Sequence, residues 1–190
     1  MLNATPLATI SDLDKWVRAD AFRMDALIQV QSLEREFSLP PTYIGAGFVR
    51  NLVWDKLHGY PSPTPLNDLD VVFYAPDLAE DKNKHLQCAL TSRRGEYRWQ
   101  VKNQAYLHHR NQDRPYQGLV DALSFWPEKE TAVAVRLNFD GQLEFVSAFG
   151  FESLLALELT PNPKRQRAVF DQRLAKKNWR GLWPKLKVVA

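Results

Sequence analysis

The sequence has little cysteine and no long apolar run, and each shortage excludes a class of protein. Cys88 is the single cysteine, so an intramolecular disulfide is excluded, and no Cys/His spacing typical of structural zinc is present. No run approaches the roughly 18 apolar residues that a membrane-spanning helix needs. Asp12 and Asp14 interrupt the apolar N-terminal residues before these could form the core of a signal peptide. We therefore expect a cytoplasmic protein without a membrane partner.

The composition is that of a folded protein. Apolar residues make up 45% of the chain and include six Trp and ten Phe, which excludes a disordered protein. A chain of 190 residues is long enough to bury one sizeable core. We predict one main domain over residues 1–163, with a basic C-terminal helix and tail over residues 164–190 packed on it.

The net charge of +3 conceals an asymmetry. Residues 164–190 contain nine Lys or Arg against the single acid Asp171, so this segment carries +8 and the preceding residues carry −5. A charged face of this kind is commonly only solvated. It is also a candidate surface for a phosphate-rich partner, and we therefore consider nucleic acid a possible ligand of this segment.

Helices and strands are predicted to alternate. Apolar residues at helical spacing from Leu13 onward predict one long amphipathic helix to about Glu36. The dipeptide Asp140-Gly141 between two β-rich runs predicts a β-hairpin. Further strands are predicted at Tyr43-Ile44, Leu69–Phe73 and Tyr97–Asn103, with helices after Gly47, from about Asp77 to Leu90, and in the basic segment. The pattern favours a mixed α+β fold, a sheet flanked by helices with an added hairpin and a C-terminal helix.

Two features suggest a binding site for metal and phosphate. Asp68 and Asp70 flank Leu69 at the start of an apolar strand, and because side chains alternate along a strand, both carboxylates project to one face. Hard cations such as Mg²⁺ bind one or two carboxylates and complete their shell with water and substrate phosphates. Gly45 and Gly47 precede a helix whose N-terminus offers free N–H groups to a phosphate. Arg50 lies in its first turn.

These residues carry a family resemblance. The glycine turn followed by an Asp-x-Asp strand resembles the nucleotidyltransferase fold of the DNA polymerase beta superfamily. More closely, Gly45–Asn51, Asn67–Asp70 and Trp99–Ala105, with Trp126-Pro127-Glu128 downstream, resemble a family of bacterial nucleotidyltransferase-like proteins whose substrate is unsettled. The resemblance implies a nucleotidyltransferase-like mixed sheet.

The resemblance also implies roles for individual residues. Asp68 and Asp70 would be the catalytic and metal ligands for Mg²⁺ or Mn²⁺. Gly45, Gly47 and Arg50 would bind the phosphates of a nucleoside triphosphate, and Lys102 would neutralise the departing pyrophosphate. The expected activity is transfer of a nucleoside monophosphate from a nucleoside triphosphate to an acceptor that the sequence does not identify.

The sequence departs from the superfamily pattern in two places. The stretch between the glycine turn and the first aspartate is longer than the superfamily pattern has, and it contains Pro61, Pro63 and Pro65. The strand expected to carry a third carboxylate contains Gln100 and Asn103 instead, and Glu96 and Glu144 are the candidates outside it. The alternative is therefore a catalytically impaired module that binds nucleotide or nucleic acid with the same fold.

Overall fold

The computed structural model describes residues 8–189, which fold around a five-stranded mixed sheet. The strands are β1 (Tyr43–Gly45), β2 (Leu69–Phe73), β3 (Trp99–Asn103), β4 (Val133–Leu137) and β5 (Leu143–Ser147). Their order across the sheet is β3-β2-β1-β4-β5. Within this sheet β2 and β3 are parallel, and the pairs β1–β2, β1–β4 and β4–β5 are antiparallel. The mixed α+β prediction is confirmed.

Helices cover most of the sheet. They are α1 (Ile10–Arg18), α2 (Ala21–Glu36), α3 (Gly47–His58), α4 (Lys82–Arg93), α5 (Leu107–Asn111), α6 (Leu119–Leu123), α7 (Glu152–Leu155), α8 (Arg167–Lys177) and α9 (Trp179–Leu182). Two more short strands, β6 (Glu158–Leu159) and β7 (Lys187–Val188), pair with each other in parallel. In the part of the chain that the structure describes, no helix is long and apolar enough to cross a membrane.

The prediction of one long N-terminal helix is wrong, because the helix is interrupted between α1 and α2. Asp20 has an extended backbone there, and its side chain accepts a hydrogen bond from Arg23 N at 3.0 Å. An aspartate at this position caps the new helix and satisfies one of its free N–H groups. The apolar spacing runs through both helices, so periodicity alone could not show the break.

The predicted hairpin is confirmed. The hairpin of β4 and β5 turns at Asp140-Gly141, with Gly141 at φ 77°. Helix α3 ends at Gly59, which has a left-handed backbone (φ 72°) as a helix-terminating glycine commonly does.

The alternation of β2 divides its side chains between two cores. Leu69, Val71 and Phe73 are buried against the helices in the larger core, and Val72 belongs to a smaller cluster with Leu123 of α6. Asp70, one pleat away from Val72, faces the same side as that smaller cluster. The Asp70 carboxylate therefore lies on the face of the sheet opposite the larger core.

The C-terminal helices pack on α3. The ring of Trp54 contacts those of Trp179 and Trp183 edge-on, with ring centroids 6.1 and 5.1 Å away. Trp183 Nε1 also donates to Asp55 Oδ1 at 2.8 Å. These contacts join segments more than a hundred residues apart. The division of the chain at residue 163 stays a prediction.

Candidate functional site

The site begins at the turn between β1 and α3. A Cβ added at Gly45 would lie 3.2 Å from both Trp126 Cη2 and the carbonyl oxygen of Val133, tighter than an ordinary contact. Gly45 is therefore required by packing behind the turn. A Cβ at Gly47 would meet only side-chain atoms of Asn51 and Arg50 at 3.5 Å or more, so no comparable steric contact requires a glycine at the helix start.

Ala46, between the two glycines, holds an unusual backbone conformation. Its φ of 55° and ψ of −123° lie in a region that residues with a Cβ rarely adopt. Its N–H donates to Val133 O at 3.0 Å, and its carbonyl accepts the first helical bond, from Arg50 N, at 3.0 Å. Helix α3 therefore begins directly after this strained residue, and the N–H groups that precede the Arg50 bond have no partner inside the helix.

The acidic pair is held by polar side chains of the parallel neighbour strand. In the β2–β3 register, Asp70 lies opposite Gln100. Gln100 Nε2 donates to Asp68 Oδ2 at 2.7 Å, and Lys102 Nζ donates to Asp70 Oδ1 at 2.8 Å. Lys102 Nζ also donates to Gln100 Oε1 at 2.8 Å. One oxygen of each carboxylate is engaged in this way.

Arg50 is a buried guanidinium at the base of the site. It donates to Thr131 Oγ1 at 2.7 Å and to Asn51 Oδ1 at 3.0 Å, and its Nε has no partner within residues 8–189. Its Cζ lies 5.0 and 4.9 Å from the ring centroids of Trp54 and Trp179. Burial lowers the pKa of Arg50 to about 10. In the described part of the chain no carboxylate contacts this cation.

These elements converge on one cavity of about 550 Å³. Five of the six site residues predicted from the sequence line it, namely Gly47, Arg50, Asp68, Asp70 and Lys102. The sixth, Gly45, is not part of the cavity lining. The C-terminal segment contributes Arg173, Lys177 and Trp179, which sequence reasoning did not assign to the site. Their spacing offered a signal, since Arg173 and Lys177 are four residues apart and share a helix face.

Neither candidate for a third carboxylate joins the pair. Glu144 lies on β5 and binds Arg136 and Asn138, and strands β1 and β4 lie between β5 and β2. Glu96 is exposed and lines a second cavity of about 290 Å³, which includes Asp68 but not Asp70. Among residues 8–189 there is no cluster of three or more His, Cys, Asp or Glu that could hold a metal ion.

Asn103 does not stand in for an acid either. Its side chain accepts a hydrogen bond from Ala75 N at 3.0 Å and donates to Ala75 O at 2.7 Å. The position opposite Asp70 is therefore taken by Gln100, with Lys102 beside it.

The donor set fits a single divalent ion of the magnesium type. Asp68 Oδ1 and Asp70 Oδ2 have no hydrogen-bond partner in the described part of the chain, where Gln100 and Lys102 hold the other two oxygens. Two carboxylate oxygens with water and phosphate oxygens are a usual shell for Mg²⁺.

Solved structures with this fold include tRNA-processing enzymes. A solution structure described as a CCA-adding enzyme head domain matches 95% of this chain and 96% of its own, at 28% identity and a TM-score of 0.80. A CCA-adding enzyme in complex with CTP (14% identity, TM-score 0.61) and the Thermotoga maritima CCA-adding enzyme with tRNA (15%, 0.62) cover 98% and 96% of this chain. This chain spans 44% and 43% of those two proteins, whose likeness shows the fold.

Comparison with curated protein sequences gives no match. A family described as nucleotidyltransferase matches residues 33–188. That range begins within α2 and includes the glycine turn, the acidic pair, β3 and the C-terminal helices, so it contains every wall of the cavity. The chain therefore belongs to this nucleotidyltransferase family.

Proposed function

We propose that the protein is a metal-dependent nucleotidyltransferase that moves a nucleoside monophosphate from a nucleoside triphosphate to an acceptor. The observation that carries the proposal is the convergence of Asp68, Asp70 and the strained start of α3 on one cavity. Carboxylates for a divalent ion and N–H groups for a phosphate are the two things a metal–triphosphate complex needs. Family membership supports nucleotidyl transfer in general.

In this mechanism the chain's residues bind and position charge. Asp68 and Asp70 would hold Mg²⁺ or Mn²⁺, which would neutralise charge on the phosphate oxygens. The first turn of α3 and the Arg50 guanidinium bind the phosphates. The acceptor oxygen forms a bond to the α-phosphorus as the bond to the pyrophosphate oxygen breaks, and the hydroxyl proton passes to water.

Lys102 has a defined place in this scheme. Its ammonium lies 2.8 Å from both Asp70 Oδ1 and Gln100 Oε1. This arrangement favours a positioning role, in which Lys102 fixes one oxygen of Asp70 and leaves the other toward the ion. These bonds occupy two of the three ammonium donors, so contact with the departing pyrophosphate would fall to the third.

A second candidate is a module that binds nucleotide without turnover. The observation that favours it is Gln100, which occupies the place opposite Asp70 in β3. A neutral amide is a weak magnesium ligand and no base at neutral pH. Nucleic acid as an additional partner of the basic C-terminal segment stays a prediction. The tRNA and CTP complexes are those of distant proteins with the same fold.

One experiment separates the two functions. The purified protein is incubated with each nucleoside triphosphate labelled at the α-phosphate, Mg²⁺ or Mn²⁺, and a cell extract as a source of acceptor. The enzyme releases pyrophosphate and labels a product, and Asp70→Asn abolishes both. Asp77→Asn, which removes an exposed carboxylate outside the cavity, is the matched control and retains activity. Nucleotide binding without pyrophosphate release in the wild type would establish the binding module.

A further inference from the structure

The C-terminal helix α8 brings two cations to the cavity. Arg173 and Lys177 lie one turn apart on this 11-residue helix, and both line the cavity that holds Asp68 and Asp70. The neighbouring Lys176 does not line it. The helix therefore turns one particular cationic face toward the acidic pair.

This face is fixed by packing at both ends of the helix. Phe170 is 1% exposed, and after the helix Trp179 and Trp183 are 3% and 1% exposed. Trp179 lies under two guanidinium groups, with Arg50 Cζ and Arg173 Cζ at 4.9 and 5.6 Å from its ring centroid. A phosphate bound here would meet an Arg173 guanidinium that Trp179 and Glu128 already hold in place, which reduces the entropy lost on binding.

The cavity has more positive charge than its own acids neutralise. Its lining side chains include Arg50, Lys102, Arg173 and Lys177 against Asp68 and Asp70. Buried Glu128 binds Arg173 through Nε and one terminal nitrogen, the latter at 3.1 Å. Lys177 forms no ion pair with any residue between 8 and 189. The four cations therefore outnumber the nearby acids by one even when Glu128 is counted with Asp68 and Asp70.

Like charges also stand close together here. The positive charge of Arg173 contributes, after burial, to lowering the pKa of Arg50. Two guanidinium groups on one indole repel each other, and a bound polyanion would remove that repulsion. Arg173 and Lys177 come from α8, whereas Asp68 and Asp70 come from β2 and the residue before it, so these two cations enter the cavity on a separate element from the acidic pair.

We propose that Arg173 and Lys177 bind the β- and γ-phosphates of the nucleotide and hold the pyrophosphate as it leaves. The inference rests on the proposed function, in which Asp68 and Asp70 would hold a metal ion and the two α8 cations would bind the distal phosphates. Arg173 offers its remaining donors as a planar fork, and Lys177 offers a mobile point charge. The basic C-terminal segment thus acts in part inside the active-site cavity.

The test compares Lys177→Gln with Lys176→Gln. Both remove one exposed lysine charge from adjacent positions on α8, and only Lys177 lines the cavity. Binding of inorganic tripolyphosphate is measured by calorimetry with a chelator present, so that no divalent ion contributes. Loss of one charge-assisted contact predicts about tenfold weaker binding for Lys177→Gln. Lys176→Gln should bind as the wild type does.

A second measurement assigns the phosphates. Lys177→Gln should weaken ATP binding by about tenfold and leave AMP binding unchanged, because AMP lacks the distal phosphates. Equal tripolyphosphate affinity in the two variants, or no tripolyphosphate binding to the wild type, would overturn the inference. If Lys177-dependent binding is found but no nucleotide releases pyrophosphate with Mg²⁺ or Mn²⁺, the anion site stands and the proposed transfer reaction fails.

Discussion

Replacing Arg50 by methionine should separate stability from ligand binding. Burial lowers the pKa of this guanidinium from its usual 12.5 to about 10. A tenfold change in an acid constant corresponds to about 1.4 kcal/mol, so the fold holds the charge at a cost of about 3 kcal/mol. At pH 7 the Arg50 side chain is charged in both the folded and the unfolded state. The folded protein therefore bears the whole cost of burying this charge.

The stabilising contacts of Arg50 nearly offset that cost. Its hydrogen bonds to Thr131 and Asn51 contribute about 1 kcal/mol each. Stacking between Trp54 and Trp179 adds about 1 kcal/mol, part of which a methionine sulfur would replace. Arg50→Met should therefore change the free energy of unfolding by no more than about 1 kcal/mol, while tripolyphosphate binding falls at least about tenfold.

Urea unfolding gives the stability, and calorimetry with tripolyphosphate gives the binding. Arg23→Met is the control, because Arg23 is also buried but is paired with Asp20 and donates to Phe48 O at 2.8 Å. Breaking that pair should cost about 3 kcal/mol. A loss of more than about 2 kcal/mol in Arg50→Met, or unchanged tripolyphosphate binding, would refute the reasoning that Arg50 is retained for an anion.

Three further changes test other parts of the site and fold. Ala46→Gly should stabilise the protein by about 1 kcal/mol in urea unfolding, because relief of the strained backbone exceeds the entropy that glycine loses; a destabilised variant would show that no strain is stored there. Asp70→Asn should abolish paramagnetic broadening by Mn²⁺ near residue 70 with little loss of stability, and equal broadening in both proteins would contradict a metal site. Hydrogen bonds from Arg94 and Tyr97 lower the pKa of Asp25 to about 2, so this carboxylate stabilises the fold above about pH 4 and that contribution is lost as the pH falls toward 2. Asp25→Asn should make the melting temperature less dependent on pH over that range. An unchanged pH dependence would show that the Asp25 carboxylate is not its source.

The parts of the site that the sequence predicted are those encoded locally. A glycine turn before a helix and two aspartates two residues apart depend on backbone geometry within a few residues. Gly47, Asp68 and Asp70, which the pattern selected, line one cavity. It assigned Gly45 to the phosphates as well, whereas the packing of Trp126 against this glycine is a long-range contact that no local pattern contains.

The contribution of α8 could not be predicted for the same reason. The position of Arg173 and Lys177 depends on Trp179 and Trp183 packing against Trp54. These are contacts across more than a hundred residues, and a charge run on an amphipathic helix is by itself compatible with simple solvation. The sequence identified the cations but had no means of placing them beside the acidic pair.

The residues of β3 set the charge around the acidic pair. In the β2–β3 register a third acid could stand opposite Asp70, and this chain has Gln100 there with Lys102 two residues on. Asp68, Asp70 and Lys102 together carry −1, whereas a carboxylate at position 100 would bring the group to −2. Gln100 and Lys102 each engage one oxygen of an aspartate, so β3 holds the pair in place without adding an anionic ligand to it. The proposed reaction therefore relies on the two aspartates alone for anionic metal ligands.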